Sequence, residues 1–158
     1  MKTLKIKKIA LGLFVSSTLL TSCEKENSPQ TWIITFHDEG LVGRDVDVKV
    51  VVSPFTNSGT FSETSDSEGL WMYDAQGQKC YRLPVGGNIV HDGAGDRWSF
   101  MGMSGSGCGM STMAGQSSGT ANGHFPDASQ ITNGYVNIYT STPMGSGGGS
   151  LSWSAVKL

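Results

Sequence analysis

Three histidines each sit beside an acid: His37-Asp38-Glu39, His91-Asp92 and His124-Phe125-Pro126-Asp127. Imidazole and carboxylate are zinc ligands, and zinc takes three or four N, O or S donors in a tetrahedral array. From His37 to His91 is 54 residues and from His91 to His124 is 33, a spacing that matches no recognised metal signature. A joint site therefore requires a fold that brings distant strand ends together. Methionine offers different chemistry. Met101-x-Met103 and Met110-x-x-Met113 flank Cys108, and thioethers and thiols are soft donors that select Cu(I). Against this, Met fills irregular core gaps in domains short of Leu. The alternative metal set is thus Met101, Met103, Met110 and Met113 with His37, His91 and His124.

Other motifs point to less. Gly115-Gln116-Ser117-Ser118-Gly119 fits G-x-S-x-G, but a nucleophile elbow needs a strand-to-helix turn and a His after its acid. Asp127 follows Ser117 and no His follows Asp127. Asp92-Gly93-Ala94-Gly95-Asp96 supplies two carboxylates, too few for calcium's six to eight oxygens, and reads as a hairpin turn. Aromatic rows are more suggestive. Tyr135, Asn137 and Tyr139 share one face of a strand-like segment, with Val136 and Ile138 on the other. Trp71 and Tyr73 likewise alternate with Leu70 and Met72. With the aliphatic faces turned inward, Trp71, Tyr73, Tyr135, Asn137 and Tyr139 form a candidate platform for stacking on sugar rings. Aromatics also favour strands for packing alone.

The elements that position these residues are strands. No window places apolar residues at i, i+3, i+4 and i+7, whereas many alternate. Trp32, Ile34 and Phe36 share one face of 31–37. Val46, Val48, Val50 and Val52 share one face of 45–53, opposite Asp45, Asp47 and Lys49. Further strands are predicted over 59–64, 69–74, 78–83, 88–91, 97–103, 109–114, 118–125, 135–141 and 150–158, separated by Gly, Asp and Ser turns. The expected fold is all-β, an antiparallel sandwich or up-and-down barrel of about 8–11 short strands. Residues 86 to 149 hold 16 of the 22 glycines, consistent with bulges and sharp bends. The run 145–150, Gly-Ser-Gly-Gly-Gly-Ser, is expected to be a mobile loop ahead of the last strand.

The N-terminus is an address. Lys2, Lys5, Lys7 and Lys8 precede an apolar run from Ile9 to Leu20. Twelve helical residues reach about 18 Å, short of a bilayer core of about 30 Å, so the segment reads as a secretory signal peptide. Leu20-Thr21-Ser22-Cys23 resembles the lipobox of bacterial lipoproteins. That resemblance implies cleavage before Cys23, a diacylglyceryl thioether on its sulfur, usually N-acylation (palmitate is a typical chain), and a membrane anchor at the cell envelope, with the outer membrane as the expected site. Glu24-Lys25-Glu26-Asn27-Ser28-Pro29-Gln30 is a polar tether that looks like the surface-export signals of Bacteroidota lipoproteins. The predicted organisation is residues 1–22 as signal peptide, 23–30 as lipidated Cys and tether, and 31–158 as one β domain for which no family is recognised.

Processing changes the charge. The whole chain has a net charge of −2. Loss of the four lysines leaves seven basic against thirteen acidic residues, a net of −6. An acidic body offers no footprint for nucleic acid. Cys80 and Cys108 remain as an even pair in an exported protein, for which a disulfide is the default and two soft thiol ligands are the alternative. No catalytic constellation and no cofactor are expected. The chain is read as a lipid-anchored envelope lipoprotein that binds a glycan, small molecule or envelope protein. The alternatives are a periplasmic or surface Cu/Zn-binding lipoprotein and a structural envelope component.

Overall fold

A computed structural model describes residues 28–37 and 44–158. The signal segment, Cys23 and most of the tether lie outside the described residues. Eleven strands follow one another: β1 (Gln30–His37), β2 (Val46–Val52), β3 (Ser58–Glu63), β4 (Leu70–Tyr73), β5 (Lys79–Leu83), β6 (Gly86–Asp92), β7 (Gly95–Phe100), β8 (Ser104–Gly107), β9 (Met110–Thr120), β10 (Gln130–Thr142) and β11 (Gly145–Lys157). Every pairing is antiparallel. The order β1-β2-β3-β6-β7-β9-β10-β11 closes on itself through β11–β1, giving an eight-stranded up-and-down barrel. The fold is all-β, and of the two expected architectures it is the barrel. The β4–β5 hairpin interrupts the meander as a separate two-stranded sheet, and β8 adds to the outer edge of β9.

The alternation seen in the sequence sets what fills the barrel. Trp32, Ile34 and Phe36 from β1 and Val48, Val50 and Val52 from β2 are buried, while Asp47 on the opposite face of β2 is exposed. Aromatic rings run through the interior. Trp32 meets Trp98 at 5.1 Å between centroids, Phe61 meets Trp98 at 4.8 Å, and Phe100 meets Trp153 at 5.0 Å. The barrel is solid along this chain of rings. Apolar residues point in and polar ones out, the reverse of a lipid-facing membrane barrel.

Register defines two ends. At one end lie Gln30, the 53–57 turn, the 93–94 turn, the 121–129 segment and the C-terminus, where the Leu158 N–H donates to the Thr31 carbonyl. At the other lie the β4–β5 hairpin, the β8–β9 turn and the β10–β11 turn. The β8–β9 turn is two residues, Cys108 and Gly109, both with positive φ (49° and 74°), which suits a type I′ hairpin. Gly145–Ser150 is not a mobile loop. It pairs residue for residue with β10 from Thr142 to Asn137.

Cys80 and Cys108 form a disulfide. It joins the β4–β5 hairpin to the β8–β9 turn, and Tyr81 beside it bonds Thr112 Oγ1 through its hydroxyl at 2.6 Å. Sulfur separation of 28 positions implies about 3–4 kcal/mol of stabilisation in the chain-entropy model. The Cys80→Ser/Cys108→Ser variant is expected to lose about that much in a denaturant titration, with the earliest amide exchange in β4 and β5. A second expectation concerns acid. Lys49 Nζ donates to Asp66 Oδ2 at 2.7 Å, and that bond chiefly holds the Asp66 carboxyl down to about 2 from 3.8. A lowered folded-state value gives a contribution that is complete above about pH 4 and fades as pH falls towards 2. The pair is exposed, so the stability effect is small. A carboxyl titration by NMR should show the low midpoint, raised by Lys49→Ala but still held below the ordinary value by the Thr64 hydroxyl.

Candidate functional site

The sheet face outside β8–β11 is built of hydroxyls and glycines. From Trp98 to Val156 the only acidic or basic residue besides His124 is Asp127. Ser104, Met113, Tyr139 and Gly148 stand in one row across four strands. The next row is serine throughout: Ser106, Ser111, Ser141 and Ser146. Rows on one face lie about 7 Å apart and neighbours across the strands about 4.8 Å apart. An open cleft of about 590 Å³ is lined by these residues except Gly148, together with Gly105, Thr112, Thr140 and Gly147 between the rows.

Tyr139 gives the cleft its one large ring. It is 52% exposed, and a Cβ at Gly115 or Gly148 would come within 2.6 and 3.0 Å of ring carbons. The ring thus sits between two glycines on the flanking strands, one at each edge, and remains half exposed. Glycine inside a strand is ordinarily a weakness; here an aromatic neighbour covers it, as designed sheets do deliberately. Further along β10, Asn137 pairs with Ser150, and Tyr135 (37% exposed) lies between Ser118 and Ser152. Sequence reasoning found Tyr135, Asn137 and Tyr139 but missed the serine rows, because β8 and the start of β11 have no apolar alternation.

Trp71 and Tyr73 do not extend this row. They stand on β4, in the separate hairpin, and each is engaged. The Trp71 indole donates to the Glu68 carbonyl at 2.9 Å with Lys79 Nζ 5.0 Å from its centroid. The Tyr73 hydroxyl accepts from Arg44 at 3.2 Å. The β4 alternation is as expected, with Leu70 and Met72 buried. The five candidate contacts therefore occupy two surfaces.

The alternative metal set also separates. Met101 and Met103 do not share a strand face: β7 ends at Phe100, the chain turns at Gly102 (φ 69°), and Met103 is buried while Met101 is 58% exposed. Met113 stands beside Tyr139 in the cleft. Cys108 is oxidised, so its sulfur and that of Cys80 are not thiolate ligands. His37 lies at the hairpin end, hydrogen-bonded to Asp45 and Ser154, both at 2.9 Å. Only His91 and His124 meet, at the opposite end, in a T-shaped ring contact of 4.9 Å. What joins them is Asp96, placed in the sequence only as a turn carboxylate. It is 2% exposed. His91 Nδ1 and His124 Nδ1 both hydrogen-bond its Oδ1, the second at 2.9 Å, and the Phe125 N–H donates to its Oδ2 at 2.7 Å.

No protein-family model, curated protein or solved structure matches the chain. The G-x-S-x-G stretch lies within β9, and Ser117 Oγ accepts the Phe100 N–H at 2.7 Å, an arrangement with no elbow.

Proposed function

We propose that the protein is an exported, lipid-anchored envelope protein that binds a neutral, polyhydroxylated ligand, a glycan, on the outer face of β8–β11. The Tyr139 ring carries this reading: it is flanked by two glycines, one on each neighbouring strand, and is half exposed. A flat ring suits the C–H face of a pyranose, and the serine rows supply donors and acceptors around it. Charge supports the ligand class, since a face without Lys or Arg offers no salt-bridge partner to an anionic polymer. Binding without catalysis is the simpler reading, as Ser117 is engaged by backbone and sits on a regular strand.

The lipobox-like Leu20-Thr21-Ser22-Cys23 supports the anchor. From Cys23 to Gln30 is seven peptide steps, at most about 25 Å. Gln30 enters at the barrel end opposite the serine rows, so an anchor there would hold the cleft away from the membrane. Two acyl chains give stable attachment where one gives marginal binding. Metabolic labelling with palmitate is expected to mark the wild type and not Cys23→Ser, which should leave the membrane fraction.

The binding experiment is a glycan array probed with the full chain in detergent. Tyr139→Ala is expected to weaken the captured glycan about tenfold, near the 1.4 kcal/mol of one decade, with Tyr135→Ala adding to it. Trp71→Ala should leave binding unchanged. No neutral glycan retained on the array, or retention indifferent to Tyr139, overturns the proposal.

A further inference from the structure

We propose that His91, Asp96 and His124 bind a divalent first-row transition-metal ion, Zn2+ in the first instance, at the barrel end where β1 begins. The site is independent of the glycan cleft, which lies towards the other end.

Asp96 is the centre of the site. Its carboxylate is 2% exposed, yet among the described residues its only ionic partners are the two histidines, and no Lys or Arg reaches it. Buried charges in proteins are paired with a cation or coordinate a metal. Two imidazoles and one backbone N–H are its side-chain hydrogen-bond partners among the described residues. A divalent cation held by the two rings would bring a fixed positive charge to this buried carboxylate.

Geometry agrees. The ligand atoms, one ring nitrogen from each histidine and one carboxylate oxygen, lie within 4.8 Å of one another. They come from three separate places: β6, β7 and the 121–129 segment. His91 and Asp96 face each other across the β6–β7 hairpin. His124 is brought in by a segment that the Asp96 backbone holds, its carbonyl accepting the Ala121 N–H at 2.9 Å and its N–H donating to the Gly123 carbonyl at 3.0 Å. The rings stand at 80°, so their nitrogens approach from different directions. Phe125 N–H fixes the second carboxylate oxygen, the kind of outer contact that orients metal-bound carboxylates. Phe55 packs on both His91 and Phe125, at 5.3 and 4.9 Å between centroids, giving the site an apolar wall.

The donor set selects the ion. Two nitrogens and an oxygen suit Zn2+ and its first-row neighbours. The thioether ligands that Cu(I) prefers are elsewhere, and calcium needs more oxygens. With the ion bound, each imidazole is neutral, one ring nitrogen on the metal and its proton on the other. With His124 about half exposed, a fourth position remains open to solvent.

The test is calorimetric titration of ZnCl2 into the chelator-stripped full chain in detergent. One saturable equivalent with a Kd near or below about 1 µM is expected. His124→Ala should weaken it about 100-fold or more, since even outer-contact losses cost up to that. His37→Ala, at the other end, should change nothing. Co2+ loading of the wild type provides a readout that needs no variant: its visible spectrum should show tetrahedral bands with no thiolate charge-transfer band. Absence of saturable binding up to about 1 mM, binding unaffected by His124→Ala, or a thiolate band overturns the proposal.

Discussion

Trp153→Ala is expected to cost about 3–5 kcal/mol, the range for emptying a large aromatic from a core. Trp153 is 1% exposed and touches Phe100 edge to face. Its ring occupies space that two glycines leave open, since a Cβ at Gly119 on β9 or at Gly134 on β10 would overlap it. The converse substitution should therefore also be costly. Gly134→Ala is expected to destabilise by about 1–3 kcal/mol through overpacking. Because both changes act on one space, Gly134→Ala with Trp153→Leu should cost less than the sum, with a coupling of about 0.5–3 kcal/mol. Urea titration of the four chains closes the cycle. A Gly134→Ala variant as stable as the wild type would mean that the barrel shifts to accept the methyl. For a domain whose whole stability is typically about 5–15 kcal/mol, the Trp153→Ala loss would be a large fraction.

The same residues show what the sequence made legible. Leu151-Ser152-Trp153-Ser154-Ala155 alternates, and its apolar members are all buried, so the strand and its inward face follow from period two. That the Trp needs Gly119 and Gly134 does not follow, because the three are brought together only by barrel closure. Strands made of Ser and Gly are invisible to hydrophobic periodicity. β8 is Ser-Gly-Ser-Gly, and β11 begins Gly-Ser-Gly-Gly-Gly-Ser; both are strands because neighbours supply the pairing, with Tyr81 against Gly105 and Gly107 and Tyr139 against Gly148. Predicted strands 109–114 and 118–125 are a single β9 that stops at Thr120, and the chain beyond it leaves the ladder to deliver His124. The strand predicted over 97–103 stops at Phe100, since Gly102 takes a left-handed φ and turns the chain.

Half of the His–Asp–His cluster was within reach. Asp92-Gly93-Ala94-Gly95 reads as a hairpin turn, and a two-residue loop sets His91 opposite Asp96. With that register, an imidazole and a carboxylate stand side by side. Nothing local announces His124, whose position depends on contacts between the 121–129 segment and β7. Likewise β10 disclosed its aromatic row, but the uncharged breadth of the face becomes apparent only when four strands are laid together.

Asp96→Ala, measured with chelator present so that no metal enters, is expected to cost about 3–5 kcal/mol, the range for removing one member of a buried ionic group. Three donors lose their acceptor: His91 Nδ1, His124 Nδ1 and the Phe125 N–H. The two rings are 29% and 49% exposed and regain water in part. The partly buried Phe125 N–H does not rehydrate so readily, and a buried donor left unpaired costs about 1–3 kcal/mol by itself. Backbone bonds from residue 96 to Ala121 and Gly123 survive the substitution, so the barrel should persist while the 121–129 segment loosens. Amide exchange is expected to rise most at Phe125 and much less at Trp98, two residues along β7. Asp96→Asn should be intermediate, because its oxygen still accepts one donor while its amide presents N–H groups to the others. Equal stability of Asp96→Asn and the wild type would show that, without metal, the carboxylate charge adds nothing to the stability of this end of the barrel.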